Sequence, residues 1–216
     1  MTVYQNVKAV LKELGNTKLV CVTKTIDAQR INESIRAGAT IIGESKVQEY
    51  ESKCDDLLPC EKHFIGHLQS KKVKKAVQLF DVIQSVDSLK LIQDINKKAW
   101  ELGKVQKIFL QINIGKEPQK FGFAEDEIAQ VITEIHGFKN INVEGLMCIP
   151  PFDSPEQTRS CFKRMKALFD EMQQTYQENV DIQELSMGMS SDYRIAIEEG
   201  ATMVRIGSSI FGDRKY

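Results

Sequence analysis

Ala201-Thr202-Met203-Val204-Arg205-Ile206-Gly207-Ser208-Ser209-Ile210-Phe211-Gly212 reads as a buried strand that ends in a turn of small residues, and Val20-Cys21-Val22-Thr23-Lys24 reads as its counterpart near the start of the chain. From Met203 to Ile206 the run is apolar except for one guanidinium. Side chains alternate along a strand, so Val204 and Ile206 share one face while Met203 and Arg205 share the other. A strand covered on both faces must therefore bury a permanent cation. Arginine cannot shed its charge, and is tolerated in such a place where acceptors take its N–H groups. Gly207-Ser208-Ser209 follows directly, with small side chains and backbone N–H groups at the start of a helical turn, which is the composition of an anion seat. A buried cation followed by an anion seat points to a bound phosphorylated compound. The competing reading is an arginine in a structural ion pair beside an ordinary Gly-Ser turn.

Outward from that stretch, strand and helix alternate without a break. Lys18 to Thr23 precedes a helix from Asp27 to Ala37, and Thr40 to Glu44 precedes a charged helix through Lys53. His63 to Gly66 leads into a lysine-rich helix from Ser70 to Phe80, and Asp81 to Val86 into a helix from Ser88 to Leu102. Val105 to Ile114 is followed by a helix from Glu125 to His136, and Ile141 to Ile149 by one from Pro155 to Gln177. Ile182 to Ser186 precedes a helix over Asp192 to Glu199, and Ala201 to Ile206 closes with the turn from Ser208 to Phe211. Such alternation implies parallel pairing, because a parallel connection needs a crossover of about this length. Eight units predict a single (β/α)8 TIM barrel. A doubly wound open sheet is the competitor, weakened by the lack of a Gly-x-Gly-x-x-Gly turn after the first strand. Val3, Val7, Val10, Leu11 and Leu14 add an extra N-terminal helix with one apolar face.

The 216 residues suit one domain, 1–216, with no low-complexity stretch or linker to divide it. Hydrophobic content of 42% supplies a full core, and 29 basic against 30 acidic residues leave a net charge of −1. No chain-wide field then favours nucleic acid or an anionic membrane, and any anion is bound locally. Five cysteines, at 21, 54, 60, 148 and 161, without Cys-x-x-Cys spacing, read as reduced structural thiols of a cytoplasmic protein. No run approaches the ~18 apolar residues of a membrane span.

In a barrel, the carboxyl ends of all strands meet at one mouth. Those ends are Lys24, Glu44-Ser45, His67, Ser85 with Asp87, Asn113, Met147, Ser186 to Ser191, and Arg205 to Ser209. The longest irregular stretch, Lys116 to Phe123, belongs to the same end. Lys24 is in phase with Val20 and Val22, and an ammonium desolvated at the end of a buried strand becomes a nucleophilic amine. The alternative is a lysine snorkelling to solvent. Met187-Gly188-Met189-Ser190-Ser191 and Gly207-Ser208 follow strands seven and eight, where barrels frequently hold phosphate. Together these ends suit a carbonyl compound that bears a phosphate. His63 and His67 read as packing or supporting groups, and no spacing suggests a metal site. Gly115-Lys116 lacks the rest of a Walker loop, and Lys71, Lys72, Lys74 and Lys75 read as a solvated helix face.

The segments Val22-Thr23-Lys24, Ile42-Gly43-Glu44 with Val47-Gln48-Glu49, His63-Phe64-Ile65-Gly66-His67-Leu68-Gln69-Ser70, Gly145-Leu146-Met147 with Ile149-Pro150, Leu185-Ser186-Met187-Gly188-Met189-Ser190 and Val204-Arg205-Ile206-Gly207 span nearly the whole chain. In that order they resemble the pyridoxal phosphate homeostasis proteins, single-domain relatives of the alanine racemase N-terminal barrel. The resemblance implies pyridoxal 5′-phosphate as cofactor, with Lys24 bonded to it as an imine and Arg205 facing its pyridine nitrogen. It also implies that Ser190, Gly207 and Ser208 hold the phosphate, and that Ser45 and Met189 contact the cofactor. No catalytic residue and no metal ligand are implied. Two positions depart from the family pattern: Ser45 stands where asparagine is usual, and Lys71 where asparagine or arginine is common. The implied role is to buffer and deliver the cofactor to pyridoxal-phosphate-dependent apo-enzymes, as a cytoplasmic monomer without turnover. An amino-acid racemase or lyase using the same cofactor is the alternative. Arg205 offers only donors, which leaves the ring a poorer electron sink than a carboxylate partner would. The few residues after Arg205 would leave out the β-domain of alanine racemases. A Schiff-base aldolase acting without cofactor is a third and remoter reading.

Overall fold

The computed structural model describes residues 2–151, 154–175 and 178–212. Eight parallel strands close into a barrel in chain order: β1 Lys18–Val22, β2 Ile41–Glu44, β3 Glu61–Phe64, β4 Val82–Val86, β5 Gln106–Ile112, β6 Ile141–Cys148, β7 Val180–Met189 and β8 Met203–Ile206. Val20 on β1 lies opposite Ile41 on β2 and Arg205 on β8, so the first and last strands carry the closure. The helices α2 Ala28–Arg36, α3 Val47–Glu51, α4 Val73–Leu79, α5 Leu89–Glu101, α6 Ile128–Glu134, α7 Pro155–Met172, α8 Tyr193–Glu198 and α9 Ser208–Phe211 follow the strands in turn. Several start where a side chain can satisfy an orphan N–H: Asp27, Ser88 and Ser154 cap α2, α5 and α7, and Pro155 opens α7.

The extra helix α1, Val3–Leu14, begins at a capping box in which Thr2 and Gln5 satisfy each other's backbone N–H. Its buried stripe of Val3, Val7, Val10 and Leu14 is the apolar face seen in the sequence. The helix lies against α2 and α9, and Asn6 Nδ2 donates to the Ile210 carbonyl at 2.8 Å.

Val20, Ile41, Val82, Phe109, Met147 and Met203 fill the barrel interior as one apolar cluster. The alternate residues, among them Leu19, Cys21, Ile42, Ile83, Leu110, Val204 and Ile206, join the second layer between strands and helices. The alternation expected at the last strand holds: Met203 faces inward, Val204 and Ile206 outward. Removing the Phe109 ring from this close-packed interior costs about 3–5 kcal/mol.

Most element ends shift by one to three residues from the sequence reading, and three boundaries carry a structural reason or fall at the edge of the described residues. The charged helix expected through Lys53 stops at Glu51, because the Lys53 ammonium turns inward to a buried carboxylate and leaves helical geometry, with φ −134°. Strand β7 starts earlier and runs on to Met189, since after a register shift Met189 still pairs with Arg205. Helix α7 ends at Met172; Tyr176 and Gln177, also expected to be helical, lie outside the described residues. Among the described residues no helix is long and apolar enough to cross a membrane.

Candidate functional site

The barrel's carboxyl mouth holds a cavity of ≈ 490 Å³, within the range of roughly 300–1,000 Å³ usual for small-molecule sites. Lys24, Ser45, Met189, Ser190, Arg205, Gly207 and Ser208 all line it, so the closed barrel brings the sequence-predicted residues together from β1, β2, β7 and β8. Val22, Ile65, Ile149, Ser191 and Ser209 complete the wall. Of these, Ile65 and Ile149 stood in quoted sequence segments but were not singled out as site residues, although both follow strand ends. A larger cavity of ≈ 620 Å³ opens near the amino ends of β5, β6 and β7, lined by Val105, His136 and Asn142 among others. It contains none of the predicted residues and no strand carboxyl end.

Arg205 forms part of the cavity floor and is 3% exposed. Its Nη1 donates to the Ser186 carbonyl and to Ser186 Oγ, both at 2.8 Å, and its Nη2 to the Cys148 carbonyl at 2.8 Å. These acceptors are neutral. Among the described residues no carboxylate forms an ion pair with Arg205, so the structural ion-pair reading finds no partner there. Burial pushes the guanidinium below its ordinary pKa, opposed by the nearby Cys148 and Asp192. A guanidinium has five N–H donors, and three are used in these bonds.

Lys24 opens the β1–α2 loop, which is held from below. Lys53 Nζ donates to the carbonyls of Thr23 and Ile26 at 3.0 Å each, and pairs with Glu44 Oε1 at 2.8 Å and Glu49 Oε1 at 3.2 Å. Glu49 also accepts the backbone N–H of Thr25, a residue with φ +66°. Left-handed backbone is unfavourable for a β-branched residue and persists where the surroundings impose it. Glu44 itself points out of the barrel, fully buried, and accepts the Thr23 hydroxyl at 2.6 Å. Burial raises its pKa above the usual carboxylate range, against the pull of Lys53 and Thr23. The outward turn of Glu44 follows from strand alternation, since Ile41 faces inward and Ile42 outward.

The anion seat is built from two loops. Ser190 Oγ accepts the backbone N–H groups of Gly207 and Ser209, at 3.2 and 3.5 Å, which ties the β7–α8 loop to the β8–α9 turn. Those two N–H groups, expected to be open in the sequence reading, are therefore engaged by Ser190. The Ser190 hydroxyl hydrogen remains available to donate, and Ser208, as the first residue of α9, has an N–H with no intrahelical acceptor. Asp192 accepts the Met189 N–H at 2.5 Å and so shapes the same loop. Gly188 adopts φ +93°, and an added Cβ would meet the Ala196 Cβ at 2.5 Å. Gly66 has its own reason to be glycine: a Cβ there would sit 2.2 Å from the Ser45 carbonyl oxygen, at the edge of the cavity.

Other strand ends serve the frame. Ser85 donates to the Gly66 carbonyl at 2.5 Å, Asn113 braces its own loop by donating to the Glu117 carbonyl at 2.8 Å, and Met147 is buried in the barrel interior. His67 lies 3.1 Å from Asp87 Oδ2 and stacks on Phe121 at 3.7 Å between ring centroids. His63 is buried inside the barrel. Among the described residues no cluster of His, Cys, Asp and Glu could hold a metal ion. Burial pushes the Cys21 and Cys148 thiols up to about 12 and Cys60 up to about 11, which makes them poor nucleophiles.

Residues 2–215 match the family described as alanine racemase, N-terminal domain. The chain is 40% identical over 202 residues to the pyridoxal phosphate homeostasis protein of Aquifex aeolicus, covering 92% of this chain and 88% of that protein. It is 37% identical over 217 residues to the protein of the same name from Synechocystis sp., covering 99% and 98%. The chain belongs to the pyridoxal phosphate homeostasis protein family. A solved family structure, PipY of Synechococcus elongatus described with PLP bound, superposes with a TM-score of 0.89 at 33% identity, covering 98% of this chain and 100% of that one. The alanine racemase of Streptomyces coelicolor shares the barrel fold, with a TM-score of 0.81 at 15% identity over 58% of its length. The expected alanine-racemase-type barrel is thereby established.

Proposed function

We propose that this chain binds pyridoxal 5′-phosphate at the barrel mouth and serves intracellular handling of that cofactor, without turnover of its own. The observation that carries the reading is the convergence of Lys24, Arg205 and the Ser190–Gly207–Ser208 seat on one cavity of ≈ 490 Å³. The cavity fits the cofactor chemically, with an amine for an aldehyde, hydroxyl and backbone N–H groups for a phosphate, and a buried donor without a carboxylate partner for a ring nitrogen. Relatives that carry the homeostasis name over nearly their full length, and the PLP-bound PipY, support the same ligand. In this reading Lys24 engages the aldehyde, Arg205 faces the ring nitrogen, Ser190, Gly207 and Ser208 hold the phosphate, and Ser45 and Met189 flank the ring. When bound, the cofactor supplies an aldehyde for condensation with an amine and a ring that can withdraw electrons. Arg205 provides donors and no proton acceptor, so it keeps the ring nitrogen unprotonated and weakens that withdrawal. This favours storage and delivery to pyridoxal-phosphate-dependent apo-enzymes over racemase or lyase chemistry. The chain acts in this reading as one domain, monomeric and cytoplasmic.

The test is incubation with pyridoxal 5′-phosphate, borohydride reduction and peptide mass mapping. One reduced adduct at Lys24, lost in Lys24→Ala with folding retained, is the expected result. An adduct at another lysine, or none, sinks the assignment; sustained racemisation or cleavage of an amino acid by the loaded protein moves it to the enzymatic alternative.

A further inference from the structure

A chain of buried side chains crosses the barrel interior from the cavity to the opposite rim. Arg205 Nη1 donates to Ser186 Oγ at 2.8 Å, and Ser186 Oγ donates to Gln84 Oε1 at 2.7 Å. Gln84 Nε2 lies 2.6 Å from His63 Nδ1, and His63 Nε2 lies 3.1 Å from Glu61 Oε1. Ser186 and Gln84 are 0% exposed and His63 1%, whereas the Glu61 side chain is 44% exposed at the rim.

The direction of the chain follows from its acceptors. Gln84 Nε2 faces both His63 Nδ1 and, at 3.2 Å, the Met203 sulfur, so the amide oxygen must face Ser186. His63 then accepts at Nδ1 and carries its proton on Nε2, pointing to Glu61, a tautomer assigned from the network. Each group thus turns its acceptor end toward Arg205 and its donor end away. Aligned bonds of this kind polarise one another in a low-dielectric interior, and the chain terminates in a carboxylate. The His63 contact holds Glu61 below the usual carboxylate range, helped by Lys107 and Lys18.

We propose that Gln84 and Ser186 are positioning residues for Arg205. Their hydrogen-bonded relay to His63 and Glu61 supplies through dipoles the counter-charge that a directly bonded carboxylate would otherwise supply. It holds the guanidinium by one edge, and three bonds from five donors leave two for a ligand. A carboxylate bound to Arg205 would compete for those donors. The relay spares them for the ring nitrogen. This inference rests on the pyridoxal-phosphate reading above.

The experiment compares the affinity of pyridoxal 5′-phosphate with that of its 1-deaza analogue, in which a C–H replaces the ring nitrogen. Wild type is expected to prefer the natural ligand by about tenfold or more, the worth of one hydrogen bond to a charged group. Gln84→Met is expected to lose about tenfold in affinity for pyridoxal 5′-phosphate and nothing for the analogue, so that the preference disappears. Ser186→Ala should do the same and serves if Gln84→Met does not fold. Equal losses for both ligands would make the relay a packing feature and overturn the inference, as would an unchanged preference in both variants. Wild type that forms the Lys24 adduct but binds both ligands equally also overturns it. Failure of wild type to form the adduct at all would instead remove the underlying reading.

Discussion

Along the amino-terminal half of the barrel, charges stand in matched pairs: Lys18 with Glu184, Lys62 with Asp81 at 3.1 Å, and Lys107 with Glu144 at 3.1 Å. At the carboxyl mouth, Arg205 is buried against neutral oxygens, and Glu44 and Asp192 are carboxylates that burial drives above their ordinary pKa. Glu61 at the rim is shifted the other way, below its ordinary value, first by its hydrogen bond to His63. Pairs in or near water cost little to form and add little to stability. Charges kept out of water need more elaborate support, and here that support holds the loop of Lys24 and the floor of the cavity. The two ends thus differ in how far their charges are kept from water: the rim pairs lie in or near solvent, while at the mouth the Lys53–Glu44 pair and Arg205 are buried, Arg205 against neutral acceptors.

The largest effect that would sharpen this contrast is at Lys53. Lys53→Met leaves Glu44 buried without its cation and the Thr23 and Ile26 carbonyls without their donor. A loss of about 3–5 kcal/mol in denaturant unfolding is expected, and a loss below that of a surface pair would break the distinction between the two ends. Next comes Arg205→Ala, expected to weaken pyridoxal 5′-phosphate binding by about 1.5–3 kcal/mol in a titration. If instead the ligand-free midpoint falls sharply while affinity is unchanged, Arg205 belongs to the frame, as the rim pairs do.

The two ends should also differ in the sign of their pH dependence. The Glu44 carboxyl, raised above 4.5, binds its proton more tightly in the folded protein, so its contribution to stability falls as pH climbs from 4.5 through the raised value. Glu61, lowered from 4.5, contributes stability that is present above 4.5 and lost as pH falls through the depressed value. Unfolding free energies measured from about pH 3 to about pH 7, across the carboxylate range, should therefore lose a falling slope in Glu44→Gln and a rising one in Glu61→Gln. Slopes of the same sign would contradict the contrast. The smallest effect is at Lys107, whose side chain is 51% exposed. Lys107→Met should change stability by under about 1 kcal/mol and leave ligand affinity alone.

The alternation of Val204 and Ile206 with Met203 and Arg205, the eight strand-helix units and the apolar face of α1 were all legible in the sequence, because each depends on local periodicity. So were the polar strand ends that line the cavity, since parallel topology directs every such end to one mouth. The inward pull of Lys53, which stops α3 at Glu51, was not legible. It requires the outward face of β2 to lie beneath the β1–α2 loop. Nor was the extension of β7 to Met189, which depends on a register shift against β8.

The order of elements and the residue types able to bind an aldehyde and a phosphate are thus properties of the sequence itself, set by spacing and side-chain chemistry. Which of the strand-end residues share the cavity was decided by closure. Ser186 meets Gln84 across 102 residues, and Val20 meets Arg205 because β1 pairs with β8. Such contacts follow from the tilt and stagger of all eight strands taken together, and no local stretch of sequence carries that information.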